Sequence, residues 1–238
     1  MGKLRQIIFT ILSFCYFLGM AMEFTVVGFI LITLGGATEH HKRKYHELLQ
    51  RRAKFVVNHI PGTSFYLINH CNETFAKPAV IVCNHQSHLD LMAIMALTPN
   101  LIVLTKDWVW HNPFYGVVIR YADFFPISDT ENLIPHIKAM ASYGYSIVVF
   151  PEGTRSEDCR IQRFHRGAFY IAEELNLDMV TVFIDGFGKV LPKKSCCLHQ
   201  GETILEIMQR INHCDDMWKN GYRGVSREIH KIYVKHKG

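Results

Sequence analysis

A chain of 238 residues, 49% hydrophobic and 20% charged, has room for one α/β domain of ordinary size plus an apolar membrane segment, and a second catalytic domain is not expected. The net charge of +5 suits an anionic membrane surface or phosphate-bearing ligands, and no nucleic-acid-binding motif accompanies it. The seven cysteines are odd in number and scattered apart from Cys196-Cys197, which argues against a disulfide scaffold or structural zinc and for a reducing compartment.

The first element is an apolar run of 30 residues from Ile7 to Gly36, in which Glu23 is the one charge. As a straight helix it would reach about 45 Å, beyond the roughly 30 Å hydrocarbon core of a bilayer, so it must tilt, bend or fold back. Lys3 and Arg5 precede it and Lys42-Arg43-Lys44 follow. Basic flanks on both sides allow a re-entrant helical hairpin turning near Glu23 with both ends cytoplasmic. A single tilted span, with the heavier charge after it holding the remainder in the cytoplasm, satisfies the same rule. Gly19-Met-Ala21 resembles a signal-peptide cleavage site, but the continuing apolar run from Phe24 to Leu34 argues against one. Residues 1–40 are therefore assigned to a membrane segment.

Residues 41–62 read as a basic amphipathic helix and linker. Tyr45, Leu48, Leu49, Ala53 and Val56 recur at helical spacing among Lys42, Arg43, Arg51, Arg52 and Lys54, and Pro61-Gly62 ends the pattern. Packing on the domain with a solvated charged face is favoured over membrane contact. From residue 63 to 238 a single domain is expected, with a first strand at Phe65–Ile68.

Ala79-Val-Ile-Val-Cys83 is an apolar run that stops at Asn84-His-Gln-Ser-His-Leu-Asp90, after which Leu91–Leu97 has helical character. Strand, polar turn, helix is the reading, and in open α/β sheets the carboxyl ends of strands are where ligands sit. Across a turn, Asp90 can hold one ring nitrogen of His85 and leave the other basic, the arrangement of a general base. Equally open from these residues alone is a capping box, Ser87-x-x-Asp90, serving only the helix start. Leu101–Thr105 is the next strand, and a helix over residues 130–143 is expected to end at Gly144. Ser146-Ile-Val-Val-Phe150 is a strand broken by Pro151 and Gly153, and a parallel sheet would bring its polar end, Glu152, Thr154 and Arg155, to the same rim as His85. Met179–Ile184 and Thr203–Met208 read as later strands and Ser226–Val234 as a terminal helix.

The pair Asn84-His-Gln-Ser-His-Leu-Asp90 and Phe150-Pro-Glu-Gly-Thr-Arg-Ser156 resembles the glycerolipid acyltransferase superfamily, whose best-known members are the 1-acylglycerol-3-phosphate acyltransferases. The resemblance implies a mostly parallel α/β sheet flanked by helices behind an N-terminal membrane-embedded segment. It implies transfer of a fatty acyl group from a thioester, acyl-CoA or acyl carrier protein, to a lysophospholipid hydroxyl. His85 and Asp90 are then catalytic, while Lys106, Glu152, Gly153, Thr154 and Arg155 bind substrate; neither a metal nor a further cofactor is implied. Lys106, Pro113 and Gly116 match the second motif, but Ser128-Asp129 stands where the family has Asp-Arg, and the fourth-motif strand before Asp185-Gly186 lacks its usual proline. Glu152 is expected to position Arg155 or the acceptor, Arg163 and Arg166 to lie near the site, and backbone N–H groups before Leu91 to help hold an oxyanion. Cys83 is expected in the core rather than as a nucleophile. The rivals are an acyltransferase with another acceptor and a non-catalytic membrane scaffold.

Overall fold

The computed structural model describes residues 3–35, 38–112 and 116–238; Gly36 and the second-motif Pro113 lie outside the described residues. Its centre is β2 (Ala79–Cys83), every residue of which is fully buried. A continuous apolar run is what a strand covered on both faces requires. On one side β2 pairs with β5 (Ser146–Val149), and on the other with β6 (Asp178–Asp185), both in parallel. Beyond β5 lie β3 (Leu101–Thr105) and the short β4 (Phe125–Pro126), also parallel. Beyond β6 the direction reverses: β7 (Gly201–Ile211) runs antiparallel to it, and β1 (Thr63–Asn69) pairs parallel with β7 at the edge. The seven strands thus follow the order β1-β7-β6-β2-β5-β3-β4.

Helices cover the sheet: α3 (Leu89–Met95), α4 (Asp107–Trp110), α5 (Gly116–Tyr121), α6 (Thr130–Ser142), α7 (Gly167–Glu174), α8 (Phe187–Val190) and α9 (Gly221–Lys237), the last preceded by a 3₁₀ turn at Asp216–Asn220. Gly144 follows α6 with φ 92°, the left-handed cap expected there. Gly186, between β6 and α8, has φ 84°, and a Cβ there would clash with the Glu202 carbonyl oxygen, so the position requires glycine. Tyr233 of α9 is fully buried, and its hydroxyl lies 2.8 Å from the Val82 carbonyl and 3.0 Å from that of Val182, tying α9 to β2 and β6. All seven cysteines are free thiols, and burial pushes the Cys83 thiol up, so this residue packs as a small apolar group.

The N-terminal run forms one helix, α1 (Lys3–Gly35), with no turn at Glu23. The charge that suggested a hairpin is met instead by Arg52 at 2.6 Å, from α2 (Glu39–His59). Contacts with the domain recur along α1: Gln6 donates to the Leu198 carbonyl, Thr10 accepts from the Leu198 N–H, and the Phe24 carbonyl accepts from the Tyr45 hydroxyl. The helix therefore lies lengthwise on the domain, with Phe24 buried and Ile7, Ile11, Phe14, Leu18, Val26 and Phe29 exposed. Its stretch Gln6–Ile30 is long and apolar enough to cross a membrane. Thr38 caps α2, whose apolar stripe of Tyr45, Leu49, Ala53 and Val57 joins the main core, as the amphipathic pattern predicts.

Candidate active site

Because β2 and β5 are parallel and in register, Val82 beside Val149, both polar turns emerge on one rim. His85 Nδ1 lies 2.8 Å from Asp90 Oδ2. Since a carboxylate oxygen can only accept, Nδ1 carries the proton and Nε2 is left as the basic nitrogen. The same Oδ2 accepts the N–H groups of Gln86 at 2.5 Å and Ser87 at 2.8 Å. The Ser87 bond is the reciprocal half of a capping box, so the two readings of Asp90 are both realised: one buried oxygen starts α3 and orients the imidazole. The N–H of Leu89 goes to Ser87 Oγ and that of Asp90 to the Ser87 carbonyl. The N–H groups of Gln86, Ser87, Leu89 and Asp90 are committed inside the turn, which removes these four from the oxyanion donors expected from sequence.

The main chain of His85 is gripped by the second turn. Its N–H donates to Glu152 Oε1 at 3.2 Å, its carbonyl accepts from the Ser156 N–H at 2.8 Å, and its ring stacks on Phe150 with centroids 4.2 Å apart. Glu152 thus braces His85 and forms no ion pair with Arg155 among the described residues. Burial raises the Glu152 carboxyl to about 7, partly countered by the His85 N–H, with Asp90 adding to the rise. Further bracing comes from Asn84, whose side chain bonds both the N–H and the carbonyl of Ile184 at 2.8 Å, and from Gln86, which reaches Asp185 and the Gly188 N–H. The fourth motif therefore holds the first.

His85 opens onto a cavity of about 540 Å³, within the range of small-molecule sites, roughly 300–1,000 Å³. Leu91, Met92 and Met95 continue its wall along α3 away from His85, and Phe17, Met20 and Phe24 of α1 close another side. Most of this lining is apolar. The polar lining includes His85, His88, Thr105, Thr154 and three cations, Lys106, Arg155 and Lys193. Gly153 lines it too, at φ 66°. Burial lowers the His88 imidazole, and the Arg155 charge lowers it further.

All seven residues singled out from sequence gather here, five lining the cavity and Glu152 with Asp90 buried behind His85. Arg163 and Arg166 do not line it. Asp129 is also absent from the wall; its side chain caps α6 by accepting the Asn132 N–H, and Ile127 faces the cavity in this segment. The α1 side chains, His88 and Lys193 were missed by sequence reasoning. His88 lay inside the quoted motif as an unassigned position, and α1 read as purely membrane-facing; no sequence pattern marks Lys193.

The family model described as "Acyltransferase" matches residues 38–185. A chloroplastic 1-acyl-sn-glycerol-3-phosphate acyltransferase of Arabidopsis thaliana is 29% identical over 195 residues, covering 76% of this chain and 53% of that protein. Human 1-acyl-sn-glycerol-3-phosphate acyltransferase beta is 28% identical over 145 residues, covering 57% of this chain and 51% of that one. The chain spans about half the length of these curated relatives. The crystal structure of the 1-acyl-sn-glycerophosphate acyltransferase PlsC from Thermotoga maritima superposes with a TM-score of 0.73 over 99% of this chain and 98% of that one, at 20% identity, and so shares the fold. With its family model covering the whole stretch from α2 through both polar turns to the end of β6, the chain belongs to the acyltransferase family.

Proposed function

We propose that the protein is a membrane-bound O-acyltransferase that moves a fatty acyl group from a thioester of coenzyme A or acyl carrier protein to the free hydroxyl of 1-acylglycerol 3-phosphate. The observation that carries this is the imidazole of His85, held by a buried carboxylate, opening on a largely apolar cavity that also bears Lys106 and Arg155. An acyl chain suits the apolar walls and a phosphate suits the cations. The relatives' names supply the acceptor.

In this mechanism His85 Nε2 takes the hydroxyl proton as the acceptor oxygen attacks the thioester carbon. The C–O bond forms, the C–S bond breaks, and the departing thiolate receives the proton from Nε2. Asp90 stabilises the transient imidazolium. No acyl-enzyme is required, and Cys83 is buried behind the turn.

The exposed apolar face of α1 supports seating in lipid, and because α1 lies lengthwise on the domain, the cavity it closes would stand next to that lipid. The basic cluster Lys42-Arg43-Lys44 favours the cytoplasmic face. A second reading, an acceptor without phosphate, draws on the absence of the second-motif arginine from the wall. The test is acyl transfer by salt-washed membranes from cells expressing the chain, offered lysophosphatidate or monoacylglycerol. Transfer to lysophosphatidate that stays with the washed pellet is expected. Transfer to monoacylglycerol alone would establish the second reading, and activity recovered only in the soluble fraction would overturn the membrane assignment.

A further inference from the structure

We propose that Lys193 binds the acceptor's phosphate together with Lys106 and Arg155, standing in for the cation that the second motif lacks; this rests on the acceptor proposed above. The segment that would carry the missing arginine offers no replacement, because Asp129 is engaged as the cap of α6 and Ser128 donates to Asp107. Lys193 reaches the cavity from a different part of the chain, the loop between α8 and β7.

That loop is fixed relative to the proton-accepting histidine. Ser87 Oγ donates to the Leu191 carbonyl at 2.9 Å, two residues before Lys193, and farther along Leu198 is bonded to Gln6 and Thr10 of α1. The adjacent lysines then diverge. Lys194 is 77% exposed and takes Glu157 at 2.7 Å, whereas Lys193 is 26% exposed, lies 3.7 Å from the other Glu157 oxygen and lines the cavity. Glu157 is thus paired at short range by Lys194. Of the nearby carboxylates, Asp90 is enclosed by its three hydrogen bonds, and burial raises Glu152 to about 7, so that it is only partly ionised at pH 7. Lys106 and Arg155 form no ion pair among the described residues, and the Lys193 contact with Glu157 is long at 3.7 Å, so the three cations remain available to an anion in the cavity.

Donor and acceptor both carry phosphate, and chemistry separates them. In the acceptor, the phosphate sits on the carbon next to the one bearing the attacking hydroxyl, so it must lie close to His85. The donor's phosphates lie beyond the pantetheine arm, far from the thioester. A cation sharing a cavity with His85 therefore meets the acceptor's phosphate first.

The experiment uses the full-length chain in mixed micelles, with lysophosphatidate as acceptor and either acyl-CoA or the phosphate-free acyl N-acetylcysteamine thioester as donor. Lys193→Ala should raise the KM for lysophosphatidate about tenfold, equivalent to about 1.4 kcal/mol, with either donor. Its kcat and the KM of each donor should stay within about twofold, and Lys193→Arg should restore acceptor binding because the charge is kept. Lys231→Ala, on the exposed face of α9, should behave as wild type, and thermal melts should show both variants folded. An unchanged acceptor KM in Lys193→Ala, or an effect confined to acyl-CoA and absent with the phosphate-free donor, overturns the assignment of Lys193 while leaving the proposed function standing. A wild-type protein that does not acylate lysophosphatidate removes both together.

Discussion

The turns that end β2 and β5 are alike in sequence, each an apolar strand opening into a polar cluster, but their polar groups have different fates. In the first turn nearly every group is occupied: Asn84 on Ile184, Gln86 on Asp185 and Gly188, Ser87 on Leu191, Asp90 on three donors. His85 Nε2 is left facing the cavity. The second turn divides its labour. Glu152 and the Ser156 N–H point inward and clamp the main chain of His85, while Thr154 and Arg155 point to the cavity with no hydrogen bond or ion pair among the described residues. In the proposed mechanism the pre-organised geometry serves proton transfer, where small displacements are costly, and the cationic head of Arg155 serves ligand capture.

Substitutions in the first turn should break this comparison most visibly. His85→Ala should lower kcat by a factor of roughly 10² to 10⁴ with KM little changed. Asp90→Asn should cause a similar loss in turnover and, because one buried oxygen serves three donors, should also destabilise the fold by about 3 kcal/mol. A denaturant titration that places Asp90→Asn level with wild type would show that the turn does not depend on this charge.

Glu152 sharpens the distinction between bracing and binding. Its carboxyl is raised to about 7 in the folded chain against an ordinary 4.5, so its contribution to stability is fully present below pH 4.5 and is lost as pH rises through 7. The loss across that window is on the order of 3 kcal/mol. Glu152→Gln, which cannot ionise, should therefore gain in melting temperature relative to wild type between pH 5 and pH 8. A difference that stays constant over that range would mean the carboxyl is not held neutral.

The smallest effect belongs to the cavity side of the second turn. Arg155→Lys should raise the acceptor KM about tenfold, about 1.4 kcal/mol, because an ammonium cannot reproduce the planar two-point contact of guanidinium with phosphate. Turnover at saturation and melting temperature should hold. A fall in kcat comparable to that of His85→Ala would place Arg155 with the reacting atoms instead.

Much of this was legible in the chain itself. Unbroken apolar runs such as Ala79–Cys83 and Ser146–Val149 specify strands covered on both faces, and such strands make a parallel sheet whose carboxyl ends share a rim. That was enough to bring His85, Asp90, Glu152 and Arg155 together, because their positions follow from local turns and register. The length and apolarity of α1 were equally plain. What the linear pattern did not contain was the choice between a hairpin and one helix, since Glu23 reads as a breaker until Arg52 is beside it.

Contacts between distant segments were decided only by the tertiary structure. Asp129 stands where the family has an arginine, yet it caps α6, and the Lys193 loop reaches the cavity through a Ser87 bond spanning 104 residues. The inner face of α1 forms part of the cavity because Phe17, Met20 and Phe24 turn toward the domain while Leu18 and Met22, just as apolar, turn outward. Hydrophobicity by itself cannot separate those faces. Periodicity within a segment is set by the backbone and can be read from sequence, whereas the partner of each face is set by three-dimensional packing of the whole chain.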